Sequence, residues 1–339
     1  VLDNSIRDGS LSRFRRAVVT GGGGFVGSYV AEQLLDSGLD VICVDNFSTG
    51  HPSYIEHLRD RPGFTLLEAD VTEEFEAPEG IDLVLHLASP ASIPEFARLP
   101  IETMLVGSAG TYHTLRLAHR HGARYVLAST SEIYGDPQQH PQSEQYWGNV
   151  NPIGARSVYD EAKRYAEAMT VAYGSKFGVS VGIARIFNSY GPRMRPDGRV
   201  ISGFVAQAVA GLPLRIHGDG AQTRSPCFVE DTARGILAIA ASDYQRPINI
   251  GNTEEVTIHD LALMIRKVAG SSSPIEYVAA DEDDPRQRCP DITLAKQELG
   301  WEPQVPLAEG LRRTVDDAVQ ARRSTNPGVS TGEQEREEG

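Results

Sequence analysis

Short apolar runs alternate with amphipathic stretches along the first half of the chain. The runs fall at 16–20, 40–45, 64–70, 83–89, 125–130 and 179–187. In most of them the apolar residues are consecutive, which suits strands buried on both faces. The stretches between them repeat with the helical period of three and four. In 25–37 the residues Val26, Val30, Leu34 and Leu35 share one face, and Gly38 closes the helix. Further helices are predicted over 102–120 and over a segment that carries Tyr159 and Lys163 and ends near Phe177. Strands joined by crossover helices make a parallel, doubly wound sheet with helices on both faces, so the fold class is α/β.

After Asn188 the rhythm changes. Pro192, Pro196, Pro213 and Pro226 interrupt it and arginines become frequent. The region 189–319 reads as a smaller C-terminal α/β lobe, the expected substrate lobe. One of its strands is expected to return to the main sheet of the first domain, 14–188. The ends, 1–13 and 320–339, are rich in charge, Ser and Gly with little to bury, and are expected to be flexible.

Composition narrows the function. With 339 residues and 40% hydrophobic content, the chain can build one large core and a smaller second unit. A net charge of −14 excludes a generic nucleic-acid binder. No run approaches the roughly 18 apolar residues of a membrane span. Arg13, Arg15 and Arg16 lead straight into the first strand, unlike a signal peptide. Cys43, Cys227 and Cys289 are scattered, with no CxxC pair, and are expected to be packing thiols in a reducing, cytoplasmic setting. No cluster of metal ligands stands out, so none is expected.

The chemistry starts at Thr20-Gly21-Gly22-Gly23-Gly24-Phe25-Val26-Gly27, a glycine-rich turn between the first strand and its helix. Gly21, Gly24 and Gly27 would let the backbone approach a pyrophosphate, and the helix N-terminus would favour its charge. This is the Rossmann-type arrangement. Asp45 ends the second strand, where a carboxylate can accept both ribose hydroxyls of NAD and would repel the 2′-phosphate of NADP. Asp70 and Val71 would flank the adenine, and Leu87, Ala88 and Ser89 the nicotinamide half.

Tyr159 and Lys163 stand four apart and share a helix face. An ammonium near a phenol favours the phenolate, so the pair can remove a proton from a hydroxyl. Thr130 ends the fifth strand at the carboxyl edge of the sheet, where ligands of such folds bind. Its hydroxyl could bridge substrate and Tyr159. Glu132 follows two residues later; hydride transfer does not need it, so it points to further acid–base work or to ordering of water. Arg185, Arg193, Arg199, Arg224 and Arg288 are candidates to hold a diphosphate.

With these residues the chain resembles the extended short-chain dehydrogenase/reductase superfamily of nucleotide-sugar epimerases and dehydratases. Over about 16–318 it is similar to that superfamily's UDP-glucuronate decarboxylase family. The resemblance is carried by the glycine turn, Val44-Asp-Asn-Phe-Ser-Thr-Gly50, His86-Leu-Ala-Ser-Pro-Ala-Ser92, Ala128-Ser-Thr-Ser-Glu132, Asn151-Pro-Ile-Gly154, Tyr159-Asp-Glu-Ala-Lys163, Ala184-Arg-Ile-Phe-Asn188, Gly191-Pro-Arg-Met194, Asp197-Gly-Arg-Val200, Gln222-Thr-Arg224 and Asp284-Pro-Arg-Gln-Arg288. It implies an NAD contact for Phe25, Val26, Asn46, Phe47, Ser48, Thr49, Gly50 and Arg199. It implies substrate contacts for Pro90, Ser131, Glu132, Asn188, Arg193, Gln222, Arg224 and Arg288, with Arg288 working beside the glutamate at the reacting carboxyl group.

Thr130-Ser131-Glu132 separates the activities. Related 4,6-dehydratases carry Thr-Asp-Glu, and the 4-epimerases typically lack the glutamate. Leu105 replaces a lysine and Gly107 an asparagine usual in these relatives. The implied reaction is NAD-dependent decarboxylation of UDP-glucuronate to UDP-xylose through a 4-keto sugar. The alternatives are a 4,6-dehydratase or 4-epimerase of the same fold, or a non-catalytic NAD sensor. A homodimer through a four-helix contact is also expected, with Met104, Ala109, Leu115 and Leu117 on one helix and Ala162, Ala166, Met169 and Ala172 on the other.

Overall fold

The computed structural model describes residues 11–279 and 286–325. The first half runs β1 (Arg16–Thr20), α1 (Phe25–Asp36), β2 (Asp40–Asp45), β3 (Phe64–Glu68), β4 (Leu83–His86), α2 (Ile93–Arg98), α3 (Pro100–Leu105), α4 (Thr111–His121), β5 (Arg124–Thr130), α5 (Ser157–Phe177) and β6 (Val181–Ile186). The second half runs β7 (Ser189–Tyr190), α6 (Val200–Ala210), β8 (Leu214–His217), β9 (Thr223–Arg224), β10 (Cys227–Phe228), α7 (Val229–Ala241), β11 (Pro247–Ile250), β12 (Val256–Thr257), α8 (Ile258–Val268), β13 (Ile275–Val278), β14 (Gln287–Arg288), α9 (Thr293–Leu299) and α10 (Leu307–Thr325).

The main sheet has seven parallel strands in the order β11-β6-β5-β4-β1-β2-β3. Strand alternation divides its side chains between two cores. Ala17, Val19, Val41 and Cys43 face α1 and α7, whereas Val18, Ile42 and Val44 face α4 and α5. The sequence order reverses between β1 and β4, and a ligand crevice opens there beyond the strand ends. Three small sheets among the described residues, β12-β9-β14, β13-β8 and β10-β7, belong to the second half of the chain. A separate core there gathers α6, α8 and α10 around Phe204, Leu214, Leu261 and Leu311. The chain also returns to the first body: Ile236, Ile248, Ile292 and Trp301 pack in the same core as α1.

Several boundaries differ from the sequence reading. The fourth strand ends at His86, because Leu87-Ala88-Ser89 turn outward to line the crevice. The long helix over 102–120 is two helices joined by one wider turn at Val106–Gly110. Gly107 sits in that turn against α5. A Cβ there would stand 2.7 Å from the Ala162 Cβ, so a larger side chain would not fit this packing.

The termini are also better anchored than their composition suggests. Leu11 is buried, and Arg13 binds Asp243 at 2.8 Å and the carbonyls of Ala240 and Ser242. Residues 320–325 extend α10 as helix. The remaining terminal residues lie outside the described ones. All three cysteines are buried and free, and burial raises the Cys43 and Cys227 thiols to about 12, far from a reactive thiolate. Among the described residues no helix is long and apolar enough to cross a membrane.

Candidate active site

One cleft of about 730 Å3 follows the carboxyl ends of the strands and continues under the second lobe. Apart from Arg185, every residue assigned above to cofactor, substrate or chemistry lines it, except Phe47, Arg193 and Gln222. Those three side chains are held elsewhere. Phe47 packs its ring against the core, and its backbone N–H serves Asp45. Arg193 is drawn off by Glu32 at 2.7 Å and lies over the Tyr29 ring. Gln222 donates to the His217 carbonyl at 2.8 Å. Arg185 is also engaged elsewhere: its guanidinium grips both Glu167 oxygens, with Tyr134 and the Glu144 carbonyl, inside the protein.

The glycine turn has the geometry a dinucleotide needs. Gly21 has φ +69°, and a Cβ there would lie 2.6 Å from the Ala88 backbone nitrogen. Only glycine lets β1 and the strand-end loop of β4 come so close. Gly24 begins α1 with no side-chain cap, and no acidic residue stands in the first turn of the helix, which suits an anion at its N-terminus. Asp45 is buried, one oxygen accepting from Gly23 N–H at 2.9 Å and the other from Phe47 N–H at 2.8 Å. Burial raises its pKa, and the two backbone bonds partly offset that. At the far end Asp70 accepts from Asn46 at 2.9 Å and from Thr72. These residues fit NAD.

The reactive end of the cleft combines β5 and α5. Tyr159 stacks on Phe96 with ring centroids 5.5 Å apart, near the Thr130 hydroxyl. Burial pushes its phenol well above the ordinary value, while Thr130 and Arg199 work the other way. Lys163 donates to the Ala128 carbonyl at 2.8 Å, and its Nζ lies 5.8 Å from the centre of the Tyr159 ring. Burial lowers the Lys163 pKa to about 8, against the pull of Glu167. Glu167 is itself fixed by Arg185 and by the Ser129 hydroxyl at 2.6 Å. His86 sits behind, its Nδ1 paired with the Thr20 hydroxyl at 2.8 Å, and burial keeps it neutral with a pKa of about 3.

Glu132 is enclosed by two guanidiniums. Arg288 and Arg156 each form an ion pair with it. Burial alone would raise the glutamate; the two arginines overrule that and hold it at about 2, so it is a fixed carboxylate. Arg288 also donates to the Gly135 carbonyl at 3.2 Å. Arg156 and its neighbour Asp160 escaped the sequence reading. The only signal was position: both flank Tyr159 at the N-terminal end of α5, which faces the crevice.

This fold and site define an extended short-chain dehydrogenase/reductase of the nucleotide-sugar type. Residues 18–314 match the family described as GDP-mannose 4,6 dehydratase. UDP-glucuronic acid decarboxylase 1 of Xenopus tropicalis is 48% identical over 302 residues, 89% of this chain and 71% of that protein. UDP-glucuronic acid decarboxylase 6 of Arabidopsis thaliana is 46% identical over 304 residues, 89% of this chain and 88% of that protein. The UDP-glucuronic acid 4-epimerase of Bacillus cereus, solved with UDP-glucuronic acid and NAD, superposes with a TM-score of 0.82 at 27% identity, covering 90% of this chain and 99% of that one. The chain belongs to the GDP-mannose 4,6-dehydratase family, among relatives that are UDP-glucuronic acid decarboxylases.

Proposed function

We propose that the protein converts UDP-glucuronate to UDP-xylose and CO2 through a 4-keto sugar, using NAD that ends each cycle as it began. The observation that carries this reading is Glu132, a carboxylate fixed between Arg288 and Arg156 in the cleft that holds Tyr159. When bound, NAD supplies the two-electron acceptor for C4 and a positive charge that favours the Tyr159 phenolate.

The chain's own residues do the rest. Thr130 orients the C4 hydroxyl, Tyr159 takes its proton, and Lys163 stabilises the phenolate that takes it. A ketone at C4 places the C5 carboxylate β to a carbonyl, where loss of CO2 sends its electron pair into an enolate. Glu132 and Arg288 organise the carboxyl side, and Tyr159 returns its proton to the C4 oxygen. Asn188, Arg199 and Arg224 line the route toward the diphosphate. Leu105 also lines the cleft and brings it no charge. Ser131 cannot act as a carboxylic acid, which argues against the elimination of water that a dehydratase performs. Offered UDP-glucuronate beside UDP- and dTDP-hexoses, the enzyme is expected to consume only the first. Dehydration of a hexose with UDP-glucuronate untouched would overturn the reading.

Asp45 sets the cofactor. Asp45→Ala should weaken NAD binding much more than NADP binding, as titration of both cofactors will show. Equal losses would mean that the carboxylate does not meet the ribose.

The assembly we infer is a homodimer. Leu115, Leu117, Ala162 and Ala166 point inward, so they cannot form the contact foreseen for them. The exposed apolar stripe is Ile101, Met104 and Tyr112 on α3 and α4, beside Tyr165 and Val171 on α5. The α3–α4 segment packed beside α5, with such a stripe, matches a four-helix contact between copies. Light scattering at micromolar concentration should give twice the mass of one chain; a monomer would refute the contact. The unpaired buried thiols fit the reducing, cytoplasmic setting.

A further inference from the structure

Lys163 carries the charge that a Tyr159 phenolate needs, and it is buried. One turn further along α5 stands Glu167, also buried, which does not line the cleft. Its Oε1 accepts from the Ser129 hydroxyl at 2.6 Å and from Arg185 Nε at 2.9 Å, and its Oε2 from Arg185 Nη2 at 2.8 Å. Ser129 and Arg185 are paired across β5 and β6, so both side chains leave the same face of the sheet and meet one carboxylate. Their neighbours on β5 hold the reactive end: the Ala128 carbonyl takes Lys163, and the Thr130 hydroxyl stands near Tyr159. Tyr159, Lys163 and Glu167, each four residues apart, share one face of α5. A buried ion pair is a weak source of stability compared with apolar residues of similar size. Its place one turn below a working lysine calls for another reason.

We propose that Glu167 is a positioning residue of the C4 oxidation: fastened to the sheet by Ser129 and Arg185, it keeps Lys163 in place as an ammonium beside Tyr159. This deepens the reading of Tyr159 and Lys163 as the pair that oxidises C4, and rests on it. Glu167 touches no substrate and moves no proton; it acts through the charge of Lys163.

The electrostatics fix the direction of the effect. Burial disfavours the charged lysine and brings it to about 8, and Glu167 is the anion that opposes this. The titratable groups facing Lys163 are Tyr159 and Glu167 on its own helix and His86 on β4, which burial keeps neutral. Those facing Glu167 are Lys163, Arg185 on β6 and Tyr134 just after β5. Glu132, Asp160 and Arg199 act on Tyr159. The Val106–Gly110 turn, packed on α5 at Ala162, brings no titratable side chain. Without the Glu167 charge, Lys163 gives up its proton at lower pH. Only the ammonium stabilises the phenolate, so oxidation of C4 should fail at that lower pH.

The test is the rate at which excess NAD-loaded enzyme consumes UDP-glucuronate in a single turnover, by rapid quench across pH. Substrate deuterated at C4 makes hydride transfer the slow step, so the rate reads the step in which Lys163 acts. In wild type the rate should fall as pH rises past about 8. Glu167→Gln keeps the size of the side chain and loses its charge. Its falling limb should lie roughly one pH unit lower. Transfer at alkaline pH should then be roughly tenfold slower than in wild type, and the two enzymes should converge near about pH 6. KM for UDP-glucuronate and the affinity for NAD should not change. A limb that stays in place refutes the proposal, and so does a variant slower by one factor at every pH, the mark of a purely structural role. If Arg185 without its partner unfolds that variant, Glu167→Gln combined with Arg185→Gln buries no ion and decides in its place. Of the pair it is Glu167 whose charge acts on Lys163, so the same downward shift is expected, and an unmoved limb again refutes the proposal. A wild type that leaves UDP-glucuronate unchanged refutes the oxidation reading together with this one; normal oxidation with an unmoved limb refutes the role of Glu167 alone.

Discussion

Tyr159→Phe is expected to lower turnover by roughly 10²–10⁴-fold, the contribution of a positioned base. The substitution removes only the hydroxyl. The ring keeps its stack on Phe96 at 5.5 Å, so α5 and the wall it forms stay in place. Burial works against ionisation of this phenol, which means the site must assemble charge around it before it can act as a base. Lys163 and Arg199 are two of the cations near it. Cofactor and substrate affinities should therefore change little while kcat collapses. Steady-state kinetics with isothermal titration of NAD separates the two effects. Near-wild-type kcat would place the base elsewhere and sink the mechanism.

Glu132→Ala should both stall the reaction and destabilise the protein. Its removal leaves two guanidiniums without their partner, one of them on Arg288, whose side chain is only 4% exposed. Breaking a buried pair from one side typically costs about 3–5 kcal/mol. The 4-keto acid should accumulate, because the ketone forms at C4 whether or not the C5 side is organised. The pH dependence has a definite sign. Glu132 is held at about 2, below its ordinary 4.5, so its contribution is present above 4.5 and lost as pH falls through about 2. The stability gap between wild type and variant should thus be full at neutral pH and shrink below about pH 4.5. Denaturant unfolding at several pH values measures it. A variant as stable and as fast in CO2 release as wild type would reduce Glu132 to a surface charge.

The legible parts of this molecule were local. Val18 and Val19 alternate between two cores within one short strand, so the apolar run announced a strand buried on both faces. The glycine turn, Asp45, and the pair Tyr159 and Lys163 are motifs whose spacing is set by a single turn or helix face. The Glu132 cluster is different. Its partners are 24 and 156 residues away in sequence, and no periodicity brings Arg156 or Arg288 to it. Resemblance pointed to Arg288; nothing pointed to Arg156. Charge alone gave Arg193 as a diphosphate candidate, whereas in the structure it pairs with Glu32, 161 residues away. The C-terminal boundary failed for a similar reason. Residues 320–325 are polar, but they continue a helix anchored upstream by Leu311 and Val315.

The central claim is that one cleft oxidises, decarboxylates and restores the sugar without net use of cofactor. The most direct measurement is a product balance on UDP-glucuronate with catalytic NAD, counting CO2, nucleotide sugars and reduced cofactor together. The account predicts one UDP-xylose for each CO2 and no net NADH. UDP-galacturonate as the product with no CO2 released would make the protein a 4-epimerase and contradict it.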